Sequence, residues 1–199
     1  MASVGNTPPA AKPDRSWILW TLAIAVPLVL VVLFVLLVAT FSFGAQAFGL
    51  RSYVKVGVDM SPMLQQGDRF VVETRTYEKH APQRGDVIVF AREGFGNSVW
   101  AKRVIAVGGD TIGVANDKVT LNGKVLAEPY LAPITASEPL PDPFGPVTVP
   151  AGSLFLLGDN RHNSNDSRYF GFVNVKNVRG RVIFIYWSKD SSRRWTRVR

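Results

Sequence analysis

Hydrophobic and polar positions divide the chain at Arg51. No charged residue occurs between Arg15 and Arg51, and the run from Trp17 to Phe43 is dominated by Leu, Val, Ile, Ala and Phe. So long and uniformly apolar a run predicts a single transmembrane helix over residues 17–43. As a helix it would measure roughly 40 Å against a hydrocarbon core of about 30 Å, enough to cross with tilt or a frayed end. Pro27 predicts a kink of the kind membrane helices tolerate. Trp17 and Trp20 at one end, and Phe41, Phe43 and Phe48 toward the other, suit the two membrane interfaces. Ala45-Gln46-Ala47 has the small-x-small pattern of a signal-peptide cleavage site. A signal h-region, however, is usually about 7–15 residues, and this run is about twice that, which favours a retained anchor.

Residues 1–16, with Pro8, Pro9 and Pro13 among small residues, read as a flexible tail. Lys12 and Arg15 precede the span with only Asp14 opposing them. The positive-inside bias therefore puts the N-terminus in the cytoplasm and the C-terminal domain outside, in a single-pass protein of the cell membrane. Most of the positive charge lies in that domain, but long domains translocate largely regardless of charge.

Beyond the anchor, residues 51–190 change to short runs with β patterning. Arg69 to Thr74, Asp86 to Phe90, Trp100 to Val107, Leu154 to Leu157 and Arg181 to Trp187 read as strands. Val119-Thr120-Leu121 and Lys124-Val125-Leu126 flank Asn122-Gly123, a strong hairpin signal. No later stretch sustains a helical period. The fold class is therefore mainly β with one N-terminal transmembrane helix. Residues 129–150 contain seven prolines, which cannot sit inside central strands and predict an irregular excursion. Residues 191–199, four arginines around Trp195, read as a basic tail, either solvated or resting on anionic lipid headgroups.

Composition narrows the function. A hydrophobic fraction of 47% with 19% charged residues supplies a packed core and argues against disorder. The net charge of +8 fits a lipid surface or a nucleic acid. The charge is spread over many strands with no recognition motif, so nucleic acid is not an expected partner. With no cysteine, disulfides, thiolate catalysis and cysteine-ligated zinc are excluded. His80 and His162 stand alone, and neither a metal site nor a cofactor is expected.

Two places suit chemistry. The densest polar segment, Gly158 to Gly171, follows an apolar strand directly and concentrates Asp, Asn, Arg and Ser, the material of a charge-assisted hydrogen-bond network. The other is Lys102 in Trp100 to Val107, where alternation puts Lys102 on the face of Val104 and Ala106, opposite Arg103, Ile105 and Val107. An edge or solvent-facing lysine is the plain reading. A buried one has a lowered pKa and can act as a general base.

In order, the chain carries an apolar anchor, Asp59-Met60-Ser61-Pro62-Met63-Leu64 with Gly67-Asp68, and Arg84-Gly85-Asp86-Val87. Lys102-Arg103-Val104-Ile105 with Gly108-Gly109-Asp110 follows, then Gly158-Asp159-Asn160-Arg161 through Asp166-Ser167-Arg168-Tyr169-Phe170-Gly171. From about residue 17 to 187 this resembles type I signal peptidase. The resemblance implies a signal-peptidase-like β fold, shared with the repressor-type autoproteases, on the outer membrane face. It also implies cleavage of signal peptides of exported pre-proteins after small residues, by a Ser-Lys dyad in which a serine attacks and a neutral lysine takes its proton. Lys102 matches the general base. Asp159, Arg161, Ser164, Asp166 and Arg168 match the supporting box, with Ser164 a candidate partner orienting Lys102. Signal peptides and membrane lipid are the implied partners.

One departure matters. The family's first box reads Ser-Met-x-Pro-Thr-Leu, so Met60, Pro62 and Leu64 put Asp59 in the nucleophile position, and Met63 replaces the threonine. An aspartate has no hydroxyl to activate. Against Lys102 it would attract the ammonium by about 4 kcal/mol at about 4 Å, opposing the neutral amine that a general base requires. An Asp59–Lys102 ion pair is the expectation. Ser61, a candidate substitute nucleophile, would sit roughly 6.5 Å further along an extended segment, too far without local rearrangement. A second carboxylate, Asp159 or Asp166, would have to approach Asp59 for acid-protease chemistry. The family's oxyanion donor two residues before the nucleophile is Gly57 here, leaving only the backbone N–H of residue 59. Three readings stay open: an active peptidase; a non-cleaving relative that binds signal-peptide-like or pilin-like segments as a chaperone or assembly factor; and an active enzyme into which Asp59 was introduced to trap substrate.

Overall fold

The structure, a computed structural model, describes residues 16–92, 94, 96, 98–116, 118–131 and 143–198, with side chains of the N-terminal helix described for 23–40, 44 and 47. The tail at residues 1–15, with its orienting charges, the side chains of Trp17, Trp20, Phe41 and Phe43, and residues 132–142 lie outside this description. The chain divides between Ala45 and Gln46 into two units.

The first unit is helix α1 (Ser16–Ala47), longer at its C-terminal end than the apolar run predicts, with Pro27 inside it. Its stretch Ala23–Thr40 has a mean hydropathy of 3.0, with none of it buried. Apolar on every face and uncovered by protein, it has the length and composition to cross a membrane. The Thr40 hydroxyl donates to the Leu37 carbonyl at 2.9 Å, which satisfies it without water.

The second unit is built from strands β1 (Leu50–Val54), β2 (Arg69–Glu73), β3 (Val87–Ala91), β4 (Val99–Val107), β5 (Thr111–Ala115), β6 (Lys118–Leu121), β7 (Lys124–Val125), β8 (Phe144–Thr148), β9 (Ser153–Leu157), β10 (Val173–Asn174), β11 (Val178–Trp187) and β12 (Thr196–Arg197). Two single-turn helices, α2 (Thr76–Lys79) and α3 (Ser167–Phe170), interrupt them. The main sheet runs β1-β2-β11-β3-β4-β9-β10, with β12 also on β11, and a smaller sheet runs β7-β6-β5-β8. The pairings are antiparallel. The domain is mainly β, as its patterning predicts.

Three apolar clusters hold these layers. One joins Phe70, Val72, Val87, Val89, Ala101, Val182 and Ile185 of the main sheet to Met60 and Leu64. A second packs the smaller sheet (Ile112, Val114, Val119) on Ile105, Ala106, Phe155 and Leu157. A third gathers Ile88, Phe90, Val104, Leu154, Leu156 and Val173. The pairing of β4 with β9 shifts register between Val104 and Ala106. Such a bulge reverses the faces beyond it, so Ala106 joins Ile105 in the second cluster, and the expected shared face of Lys102, Val104 and Ala106 ends at Val104.

Two further expectations are corrected. Residues 129–150 are not irregular throughout. They contain β8, whose Val147 pairs with Ile112 and whose Phe144 ring lies 4.9 Å from that of Phe155. Pro146 is accommodated because β8 is an edge strand. Nor are residues 191–198 a loose tail. Thr196 and Arg197 pair with Ile185 and Phe184, Arg194 donates to the Ser188 carbonyl at 2.9 Å, and Arg193 donates to Asp68 at 3.0 Å and to the Met63 carbonyl at 2.6 Å. Backbone pairing and a buried carboxylate, neither visible in composition, draw the arm back onto the sheet. Because Asp68 is buried, replacing Arg193 with Met should lower stability by about 1–2 kcal/mol in thermal or urea denaturation.

Candidate active site

The segment after β1 extends its pairing: Lys55 N donates to Asp68 O at 2.8 Å and Gly67 N to Lys55 O at 2.9 Å. The chain then turns, with Ser61 N bonded to Val58 O at 3.0 Å and Leu64 N to Met60 O at 2.8 Å. Met60 and Leu64 are fully buried and pin this turn to the core. Asp59, immediately before the pin, is held at the lip of a cleft with its side chain 23% exposed. Gly57 has φ of +79°, a conformation that disfavours any side chain there.

The opposite wall is β4. Its Lys102 is 1% exposed and pairs across the strands with Ile88. The Lys102 ammonium donates to Oδ2 of Asp59, and the ammonium of Lys55 donates to Oδ1. Lys55 also donates to the Val56 carbonyl at 2.6 Å. One carboxylate thus bridges two buried ammonium groups.

Their charges act on each other. Burial is the largest influence on Lys102 and pulls its pKa below the ordinary 10.5; Asp59 opposes that pull without cancelling it. Asp59 favours the ammonium as expected, and burial lowers the Lys102 pKa as expected of a buried lysine; desolvation is the larger of the two. For Asp59, partial burial pushes upward, but the Lys102 and then the Lys55 ammonium outweigh it, and the carboxyl falls below its ordinary 3.8.

The loop from Gly158 to Phe170 supports the site through its backbone. Asn160 N donates to the Asp59 carbonyl at 3.1 Å. At Gly158 a Cβ would lie 2.2 Å from Ser164 Oγ and 2.4 Å from the Asp59 carbonyl, so only glycine admits this approach. Three buried arginine–carboxylate pairs fix the loop. Asp159 accepts both N–H arms of Arg103 at 2.8 Å, while the Arg103 guanidinium lies over the Tyr130 ring at 3.9 Å. Arg161 pairs with Glu128 and donates to the Gly158 carbonyl at 3.0 Å. Arg168 pairs with Asp166 at 2.8 and 3.0 Å and donates to the Arg161 carbonyl at 2.7 Å. Asp166 also accepts from Gly158 N at 3.1 Å.

Of the residues singled out in the sequence, Asp59 and Lys102 meet. Asp159, Arg161, Asp166 and Arg168 brace the loop behind them. The Ser61 hydroxyl makes no hydrogen bond among the described residues. Ser164 is buried with its Oγ unpartnered among them, so it is not the expected partner of Lys102. Sequence reasoning missed Lys55, although Lys55, Gly57 and Asp59 share one face of an extended run by the period of two. It also missed Glu128 and Ser167, whose hydroxyl accepts from Leu156 N at 2.9 Å; no local pattern marks either.

The cleft has a volume of about 700 Å³, with Tyr53 to Asp59 on one wall, Val99 to Lys102 on the other, and Asn163 and Asn165 at its end. On one edge β4 pairs with β3 from Val99 onward; on the other, pairing with β9 begins only at Arg103. Among the described residues, then, nothing pairs with the second backbone edge of residues 99–102 along the cleft. A helix long and apolar enough to cross a membrane, followed by a β domain with a peptide-sized cleft lined by a buried lysine, defines the class: a membrane-type helix joined to a β domain with a cleft for an extended chain.

The sequence profile of the family described as signal peptidase, peptidase S26, matches residues 22–187. The chain is 38% identical to a signal peptidase I of Bacillus caldolyticus, over 70% of this chain and 81% of that protein. It is 36% identical to one of Leptolyngbya laminosa, over 71% and 73%. A solved signal peptidase I from Enterococcus faecalis shares 38% identity over 50% of this chain and 95% of that chain, with a TM-score of 0.44. The chain belongs to the signal peptidase I family, peptidases that process signal peptides.

Replacing Asp59 with Asn leaves two buried ammonium groups on a neutral side chain and should cost about 2 kcal/mol at neutral pH, below the figure for a fully buried pair because the cleft is open. The folded-state pKa of Asp59 is depressed, so its stabilisation is present above the ordinary 3.8 and is lost as pH falls through the depressed value. Urea titrations of both proteins in descending pH steps should show the difference shrink only below 3.8. Gly158→Ala should cost about 3 kcal/mol by overpacking in the same assay.

Proposed function

We propose that this protein receives signal-peptide segments of exported pre-proteins in extended form and holds them uncut, acting as a chaperone or assembly factor. The observation that carries the reading is the Asp59 carboxylate, standing in the register of the family's nucleophilic serine and bridged to Lys102 and Lys55. A Ser-Lys mechanism requires a hydroxyl beside a neutral amine. Here the amine faces a carboxylate that favours its protonated form and offers no hydroxyl to activate. Ser61 has no hydrogen bond to Lys102. Acid-protease chemistry would need a second free carboxylate, and Asp159 and Asp166 are each committed to an arginine.

Binding, by contrast, keeps its elements. The unpaired edge of residues 99–102 suits β-strand addition, in which backbone hydrogen bonds hold the peptide and wall pockets select its side chains. The relatives are themselves named signal peptidases, which supports signal peptides as the ligand. The apolar helix supports attachment to membrane lipid, with the N-terminus cytoplasmic and the domain outside, as the flanking charges argue. Lys55 favours Asp59 as an integral part of this chain over an introduced trap, since a second buried cation is matched to that carboxylate.

The test is a cleavage assay with the full chain in detergent and a pre-protein bearing an Ala-x-Ala site. The wild type should bind by crosslinking and leave the substrate intact. Asp59→Ser should raise cleavage at least about a hundredfold over background, and adding Lys102→Met should abolish the gain. Wild-type cleavage that disappears in Ser61→Ala would overturn the reading.

A further inference from the structure

Among the described residues, the buried carboxylates away from the cleft each have one arginine. Asp159 has Arg103, Glu128 has Arg161, Asp166 has Arg168, Asp68 has Arg193, and Asp110 has Arg84. At the cleft, two lysines, 6% and 1% exposed, share the single carboxylate of Asp59. Among the described residues no other pair of buried cations rests on one anion. Of the neighbouring carboxylates, Asp166 also attracts the Lys102 ammonium but is held in its own pair with Arg168, and Asp159 is held by Arg103. With both lysines protonated, the cluster carries one positive charge more than Asp59 neutralises, and a buried cation without its counter-charge is costly.

The donors are counted in the same way. An ammonium has three N–H groups. Lys55 directs one to Val56 O and one to Asp59, and Lys102 directs one to Asp59. The remaining donors border a cleft whose unpaired β4 edge runs along residues 99–102 and ends at Lys102 itself. An extended peptide paired with that edge, and terminating there, brings its last residue to the two ammonium groups. The group that answers both the surplus charge and the unspent donors is a carboxylate, which accepts through two oxygens and completes an alternating set of two cations and two anions.

We propose that Lys55 and Lys102, with Asp59 between them, form a receptor for a free peptide carboxylate, so that the cleft prefers chains that end in it to chains that run through it. This rests on the reading that the cleft binds signal-peptide segments without cutting them, and it adds the form of the ligand: a chain already severed at its small-residue end. Lys55 is the discriminating residue, because it supplies the second cation that Asp59 alone would leave unbalanced.

The experiment compares three versions of one short peptide ending in Ala-Gln-Ala, titrated by calorimetry into the full wild-type chain in detergent micelles: the free acid, the C-terminal amide, and the amide with an internal glutamate. The free acid should bind about tenfold more tightly than either amide, a preference that weakens as salt is raised. Lys55→Met should bring acid and amide together, and Lys55→Arg should keep them apart; should Lys55→Met not fold, the wild-type comparison decides alone. Equal affinity of acid and amide overturns this inference while leaving the binding reading intact. Tight binding of the glutamate amide equal to that of the acid overturns the chain-end assignment. Binding of none of the three overturns both readings.

Discussion

Two ammonium groups buried on facing walls of a cleft require a negative charge between them, and Asp59 supplies it. The rest of the site follows from that requirement. Strand β4 delivers Lys102 from one side, the extension of β1 delivers Lys55 from the other, and the buried Met60 and Leu64 hold the turn that sets Asp59 between them. At an effective dielectric near 20, a contact at about 4 Å amounts to about 4 kcal/mol, enough to hold the carboxyl ionised but not to undo the desolvation of a nearly inaccessible lysine. Lys102 is consequently pulled below its ordinary pKa while remaining tied to an anion.

Behind this cluster the supporting loop carries three buried arginine–carboxylate pairs. Such pairs are weak arguments for stability, since burial costs much of what attraction returns. Their contribution here is geometric. Arg103–Asp159 ties strand β4 to the loop, Arg161–Glu128 ties the loop to the chain entering the proline-rich stretch, and Arg168–Asp166 closes the loop on itself. With its frame fixed, the loop brings Gly158 and Asn160 against the backbone of Asp59. None of these charged groups needs to touch a ligand to decide where one would lie.

Family membership is carried by most of the chain, while the proposed loss of cleavage rests on one residue, Asp59. From residue 22 to 187 the sequence matches the signal peptidase family. On the proposed reading, a carboxylate where the family has a hydroxyl leaves Lys102 as half of an ion pair. Asp59 also gives Lys55 its partner, so that two buried cations meet on one carboxylate.

Much of this was legible in the linear chain. The uncharged run before Arg51 marked a spanning helix because lipid selects for apolar length alone. Short apolar runs rich in β-branched residues, bounded by turn residues, and the Asn122-Gly123 turn marked a β domain, because strands buried on both faces need not alternate. Met60 and Leu64, two of the residues by which the Asp59 segment resembles the family's first box, are core anchors that fix the turn after Asp59. Tertiary structure alone decided the rest. The bulge after Val104, the strand hidden among prolines, and the return of the C-terminal arm arise from pairing between segments far apart in sequence. The partner of Asp59 is the plainest case. Lys102 was anticipated, yet burial, which no local pattern reports, set the direction of its pKa. Lys55, only four residues away, became visible as a site residue when the fold excluded water from both lysines and left them one carboxylate to share.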